Sequence, residues 1–299
     1  KVAKWLTDGI EQVHERFKKH APKYTGMSRL KRLKDPHLYE ISIYDTHFGK
    51  FAWSEETGDN YDLKIATEIY RTAFADLLAR ASGFEIERFL VPLGNDMMHF
   101  DNSSATTTAG TPMGDSADSR YAKVFETCFA VCVEQIDRMA NIAPVDVLLV
   151  QGNHDKHASY HLCYALKQFY RNNKRVAIDA IWRKRKYVQY GVNLLGFAHG
   201  DAVRDKWTRF PTLMATEEPD LWAASKHREF HLGHVHSRTK KEMLPVAEHE
   251  GVIVRTLPSL SATDPWHYAH GYTSRRAAES YLYSKTEGYV GHFSVNAST

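Results

Sequence analysis

The sequence predicts a mixed α/β protein with two sheets packed together, and three observations carry that prediction. From residue 36 to about 172, apolar runs alternate with amphipathic stretches in a βαβαβα succession, the pattern of strands covered by helices. From about Val176 onward strand-like segments dominate, with one helical stretch near 202–224, so a second sheet is needed to house them. Polar residues that can do chemistry recur at the carboxyl ends of the expected strands, where loops converge in open α/β sheets.

Element by element, residues 1–34 hold ten Lys or Arg against three acids, interrupted by Pro22 and Gly26. A basic arm over 1–35 with one short helix near 5–19 is expected, peripheral to a single domain over 36–299. "HLYEISIYDTH" (37–47) reads as a strand, 62–81 as a helix with Ile65, Ile69 and Leu77 at helical spacing, and 88–94 as a second strand. A helix over 119–140, a strand over 145–152 and a helix over 157–172 complete the alternating half. Later strands are expected at "VAIDAIW", "YVQYGVNLLGFAHG", "EFHLGHVHS", "GVIVRTLPSL" and "EGYVGHFSV". Two segments read as loops: 101–119, rich in Ser, Thr and Gly, as an active-site flap or as disorder, and 258–283, dense in aromatics, His and Arg.

Composition narrows the class. At 299 residues and 43% hydrophobic content the chain can bury a substantial core. A formal charge of +3 is too mild to indicate a strongly electrostatic nucleic-acid binder, so local patches must carry that argument. Cys128, Cys132 and Cys163 form no CxxC and no disulfide framework, which favours a reducing, cytoplasmic setting; Cys128 and Cys132, four apart, read as buried apolar residues. There is no run of 18 apolar residues and no basic-then-apolar leader, so no membrane association is expected. The oligomeric state is left open, a homodimer included. Histidine, with 17 copies, asks for a spatial explanation.

The strand ends supply it. They read Asp45-Thr46-His47, Gly94-Asn95-Asp96, Gly152-Asn153-His154-Asp155, Ala198-His199-Gly200-Asp201 and Gly233-His234-Val235-His236. Each alone has a bland reading: Asp-x-His as a surface pair, Gly-Asn-His-Asp as a turn whose Asn caps the next helix. Gly-His-x-His is rarer, expected by chance about 0.05 times in a chain of this composition, and two histidines two apart on a strand point the same way. Convergence at one sheet edge makes a metal site the better explanation of all five.

In this order the five blocks resemble those of the calcineurin-like metallophosphoesterase superfamily, over roughly residues 37–240. The resemblance implies a four-layer α/β/β/α metallophosphoesterase sandwich and two divalent metal ions. It allots Asp45, His47 and His236 to one metal, Asn153, His199 and His234 to the other, and Asp96 as the bridge. Such a ligand set suits manganese first, with iron, zinc, nickel and magnesium also compatible, and the implied chemistry is in-line attack on phosphorus by a water activated between the cations. His154 is implied to face the leaving group as acid or charge stabiliser rather than to coordinate, and Asp155 to orient the loop or that imidazole.

The match has departures. Many members carry Gly-Asp where this chain inserts Asn95, so the bridge is assigned to Asp96; Asp101 lies too far into the loop. "GNHD" departs from the GNHE of the superfamily's protein phosphatases, whereas "GNDMMHFDN" is similar to the Gly-Asp-x-x-His form of SbcD-type DNA repair nucleases, placing His99 near His154. That form, the basic arm, and Arg275 and Arg276 as phosphate holders among stacking aromatics point to nucleic acid or a nucleotide as substrate, in a DNase-like phosphodiesterase. A small-molecule phosphoesterase is the alternative, and a catalytically silent scaffold the third reading.

Overall fold

The computed structural model describes residues 36–118, 120–203, 207–234, 246–271 and 275–297; the expected basic arm and His236 lie outside the described residues. In chain order the first half runs β1 (His37–Ser42), α1 (Ser54–Thr57), α2 (Leu63–Arg80), β2 (Ile86–Gly94), α3 (Tyr121–Ala140), β3 (Val145–Val150), α4 (Lys156–Phe169) and β4 (Val176–Asp179). The second half adds β5 (Lys186–Tyr190), β6 (Asn193–Ala198), α5 (Phe210–Glu217), α6 (Pro219–Ala224), β7 (His227–Leu232), β8 (Val246–His249) and β9 (Val252–Thr256). After α7 (Pro265–Ala269), β10 (Ala277–Ser284) and β11 (Gly288–Asn296) return to the first sheet.

Strand order is β11-β10-β1-β2-β3-β4 in one sheet and β5-β6-β7-β9-β8 in the other. β1 to β4 run parallel, as do β6, β7 and β9, so their carboxyl ends emerge along one edge of each sheet. Strand periodicity explains the layering. In β1 and β3, Tyr39, Ile41, Val147 and Leu149 pack with α2, α3 and α4, while Leu38, Leu148 and Val150 face Leu195 and Phe197 of the other sheet. The outer face of that second sheet, with Leu194 and Phe230, packs on Phe210 and Met214 of α5. The result is the expected four-layer α/β/β/α sandwich. Each fully buried Leu or Phe in these three cores contributes about 1.5–3 kcal/mol of transfer free energy. The three cysteines are free and buried, and among the described residues no helix is long and apolar enough to cross a membrane.

Four expectations need correction. The first strand stops at Ser42 rather than reaching His47, because Asp45 and His47 adopt positive φ angles of 49° and 51° that no strand accommodates. Residues 277–283 are not loop but most of β10, an entirely buried strand paired with both β1 and β11. The short edge strand β8 was not anticipated. The 101–119 segment is not disordered over its described residues. Its hydroxyl and carboxylate side chains tie it down: Asp101 accepts from Thr108 Oγ1 at 2.7 Å and from the amides of His157 and Ala158 at 2.9 and 2.7 Å, capping α4 from outside.

Candidate metal centre

The site begins with backbone geometry. Among the described residues seven non-glycines have positive φ, and five are Asp45, His47, Asn95, Asp96 and His234, at the ends of β1, β2 and β7. Such conformations cost on the order of 1–3 kcal/mol each, least for Asn, Asp and His, and persist where surrounding structure enforces them. Here the amides of Asp45 and His47 donate to the carbonyls of Asn95 and Asp96 at 2.9 and 3.0 Å, and Asn95 N donates to Val150 O at 2.8 Å. Three strand ends thus lock one another. Gly152 completes the cradle: a Cβ there would lie 1.9 Å from Asp96 Oδ1 and 2.7 Å from Asp155 Oδ1, so only glycine lets both carboxylates approach.

Two donor groups result, and they share a residue. The ligating atoms of Asp45, His47 and Asp96 lie within 4.8 Å of one another, and so do those of Asp96, His199 and His234. His199 Nε2 sits 3.0 Å from Asp96 Oδ2, 2.9 Å from Asn153 Oδ1 and 3.2 Å from His234 Nδ1, which draws Asn153 into the second group. All of the expected ligands except His236, which is outside the described residues, therefore meet at one place. Asn153 does not cap α4, whose N-cap position is Asp155.

The residues expected to act rather than ligate lie alongside. His154 donates its amide to Asp96 Oδ1 at 2.8 Å, and its Nδ1 is 2.9 Å from the carbonyl of His99. A carbonyl can only accept, so Nδ1 carries the proton and Nε2 is left for the substrate side. His99 stacks on His154 at 5.3 Å between centroids; its Nδ1 is 3.3 Å from His47 Nδ1 and its Nε2 3.3 Å from Ser116 Oγ. His47, His99 and His154 thus form a third group of converging nitrogens. Asp155 is fully buried and orients the loop, not the imidazole: Oδ2 accepts from Met98 N at 2.9 Å and from Ser159 Oγ at 2.5 Å.

Electrostatics make the cluster incomplete on its own. Burial pushes the carboxyl groups of Asp45 and Asp155 well above the usual range, and the negative charge of Asp96 adds to both. Asp96 is held down despite burial by His199 and His154, and His199 in turn is raised to about 9, against burial, by Asp96. A proton on His199 is thus the positive charge that answers Asp96. Divalent cations fit this set better: imidazoles, an amide oxygen and carboxylates are their hard-to-borderline donors, and a cation would displace the His199 proton and allow the neighbouring carboxyls to ionise.

Arg275 and Arg276 are placed otherwise than in this cluster. Arg275 bonds Asn296 and Ser294 on β11, and Arg276 reaches Asp59 at 3.3 Å with its guanidinium 5.8 Å from the Tyr61 ring centroid. Sequence reasoning missed Lys50, whose buried ammonium holds Asp264 Oδ2 at 3.0 Å, Ala262 O at 2.7 Å and Ser261 Oγ at 3.3 Å, and Ser116 against His99. These partners are scattered over more than 200 positions, with no local pattern to announce them.

No family model matches this sequence, and no curated protein matches it. Solved structures do. A predicted phosphoesterase from Streptococcus pneumoniae shares 10% identity at a TM-score of 0.35 over 87% of this chain and 98% of its own. Vps29 of Chaetomium thermophilum shares 13% at 0.34 over 87% and 100%. A purple acid phosphatase from yellow lupin seeds shares 9% at 0.38 over 91% of this chain and 55% of its own. Likeness at this level leaves the chemistry to be read from the side chains.

Proposed function

We propose that the chain is a metal-dependent phosphoester hydrolase that acts on phosphodiesters, with Asp96 shared by the two groups of residues that would hold its cations. The observation that carries this reading is the pair of donor groups sharing one carboxylate, built on five strained strand-end residues. Asp45 and His47 would hold one ion, Asn153, His199 and His234 the other. Bound there, the ions supply Lewis acidity toward the phosphoryl oxygens and lower the pKa of water. The protein's own contribution is orientation: the His99 carbonyl fixes the tautomer of His154, so that Nε2 can hold or give a proton at the leaving oxygen. Asp155 keeps the Asn153-His154 turn pinned to the loop after β2.

Of the supports for a nucleic-acid substrate, His99 does lie against His154, the basic arm is outside the described residues, and Arg275 and Arg276 are engaged away from the cluster. Small phosphodiesters are therefore the substrate form proposed first. The test is hydrolysis of bis-p-nitrophenyl phosphate, p-nitrophenyl phosphate, DNA and RNA with Mn²⁺, alongside metal analysis. Asn153→Ala should lower metal content, whereas His154→Ala should keep it and slow turnover by about 10²–10⁴-fold. Absence of metal-dependent hydrolysis of every ester removes the proposal.

A further inference from the structure

A cavity of about 560 Å³ is lined by Phe51, Trp53, Glu56, Met113, Ser116 and Asp264 among others. Its volume falls within the roughly 300–1,000 Å³ of small-molecule sites. His99 connects the two: one ring nitrogen contacts His47, the other contacts Ser116 in the cavity wall. The His99 ring thus stands between the cluster and the wall of the cavity.

The lining dictates what that part can be. Among the described residues no lysine or arginine lines the cavity. The nearby cation, Lys50, is buried and engaged with Asp264, Ala262 and Ser261. Two carboxylates line it instead, Glu56 and Asp264; that of Asp264 is taken by His267 at 2.8 Å and by Lys50 at 3.0 Å, which leaves Glu56 as the open acceptor. A second phosphate would meet the Glu56 carboxylate with no free cation beside it, whereas an N–H donor would find Glu56 as its acceptor. Trp53, 63% exposed, is the most solvent-accessible large apolar residue among those described, and it stands at this cavity. Its indole offers a flat face that a bound ring would cover.

We infer that this cavity is the subsite for the organic group of the substrate, and that the group is an amino-bearing aromatic ring without further negative charge, such as an adenine or cytosine base. The inference rests on the phosphoesterase reading of the adjoining cluster and narrows it to small nucleotide-like diesters over polymers.

Calorimetric titration of the full chain, without added metal, with adenosine tests the subsite directly. Saturable binding is expected, weakened roughly 5- to 150-fold by Trp53→Ala, the range for loss of one base-stacking contact. Glu56→Gln should weaken adenosine more than uridine, which lacks the exocyclic amine. Trp182→Ala, an exposed tryptophan elsewhere, should leave binding unchanged. No saturable binding, or equal affinity in the Trp53 variant, overturns the subsite; an oligonucleotide that binds more tightly than adenosine overturns the exclusion of further charge. Hydrolysis of bis-p-nitrophenyl phosphate without adenosine binding leaves the phosphoesterase standing and removes the subsite. Adenosine binding in a chain that hydrolyses no phosphoester removes the phosphoesterase reading and with it the cavity's role as a substrate site.

Discussion

Among the described residues, two buried clusters of histidine and carboxylate can be set side by side, and they differ in whether they are complete. Between the sheets, His231 Nδ1 meets Glu40 Oε1 at 2.7 Å, its Nε2 lies 3.3 Å from Glu229 Oε2, and Arg255 grips Glu229 through Nε at 2.6 Å and Nη2 at 3.2 Å. Two cations answer two anions, and all four residues stand on regular strands, β1, β7 and β9. At the strand ends the balance is different. Asp96 and Asp155 have no lysine or arginine partner among the described residues, both side-chain heteroatoms of the buried Asn95 lack a hydrogen bond, and the backbone is strained at five positions. Buried histidines and acids do not by themselves mark a functional site; an unbalanced set on a strained backbone does.

The largest effect that would separate the clusters is on catalysis. Asp96→Asn should lower kcat/KM for bis-p-nitrophenyl phosphate by about a thousandfold or more, comparable to or beyond removal of a transition-state contact, and should reduce bound metal, while the metal-free melting temperature moves by only a few degrees. Retained metal-dependent turnover in that variant would break the distinction. The inter-sheet cluster should respond in the opposite way. His231→Leu leaves Glu40 and Glu229 short of a cation in the core, an error of about 3–5 kcal/mol for a broken buried pair. Thermal unfolding should fall accordingly, with metal content intact at temperatures where the variant is folded.

Much of this was legible in the sequence because β1 to β4 and their helices follow simple periods, and because Gly152-Asn153-His154-Asp155 and its counterparts are contiguous. The inter-sheet cluster was not. Residues 277–283 were read as loop since Glu279 and Ser280 interrupt the apolar run and Tyr281 and Tyr283 carry hydroxyls; the partner that satisfies Tyr283, Glu229, is distant in the chain. The 101–119 segment looked unstructured because Ser, Thr and Asn usually solvate loops, whereas here they hydrogen-bond the backbone of their own turn and Asp101. The cavity draws on positions near 51–56, 113–116 and 264, a juxtaposition that only the packing of three distant segments creates.

A smaller effect concerns pH. His231 is raised to about 9, since burial, which would lower it, is outweighed by Glu40 and Glu229. A raised histidine contributes stability fully present below its unfolded value of about 6.5 and lost as pH climbs through about 9. Glu229 is lowered to about 2 despite burial, through His231 and Arg255, so its share is present above the unfolded carboxylate value and lost as pH falls through about 2. The difference in denaturation midpoint between the parent chain and His231→Gln should therefore be widest near pH 5–6.5 and shrink toward pH 9. Measuring a difference matters, because the strand-end carboxyls also titrate and would otherwise dominate the metal-free profile. A gap constant from pH 6 to 10 would mean that His231 is not the cation of this cluster.

The mildest perturbation tests completeness itself. Tyr283 OH lies 3.2 Å from Glu229 Oε2 and 3.4 Å from His231 Nε2; a neutral hydroxyl facing an ionised carboxylate and a protonated ring donates to the carboxylate. Removing it in Tyr283→Phe deletes one donor but leaves Glu229 with both Arg255 bonds and His231, so no charge becomes unpaired. The cost should be that of a single hydrogen bond, about 0.5–1.5 kcal/mol, and the alkaline limb of the stability profile should keep its position near pH 9. A loss as large as that of His231→Leu would show that the hydroxyl is not a supplement but a member on which the ion pairs depend, and the inter-sheet cluster would then be as incomplete, one group removed, as the strand-end cluster is by construction of its donors.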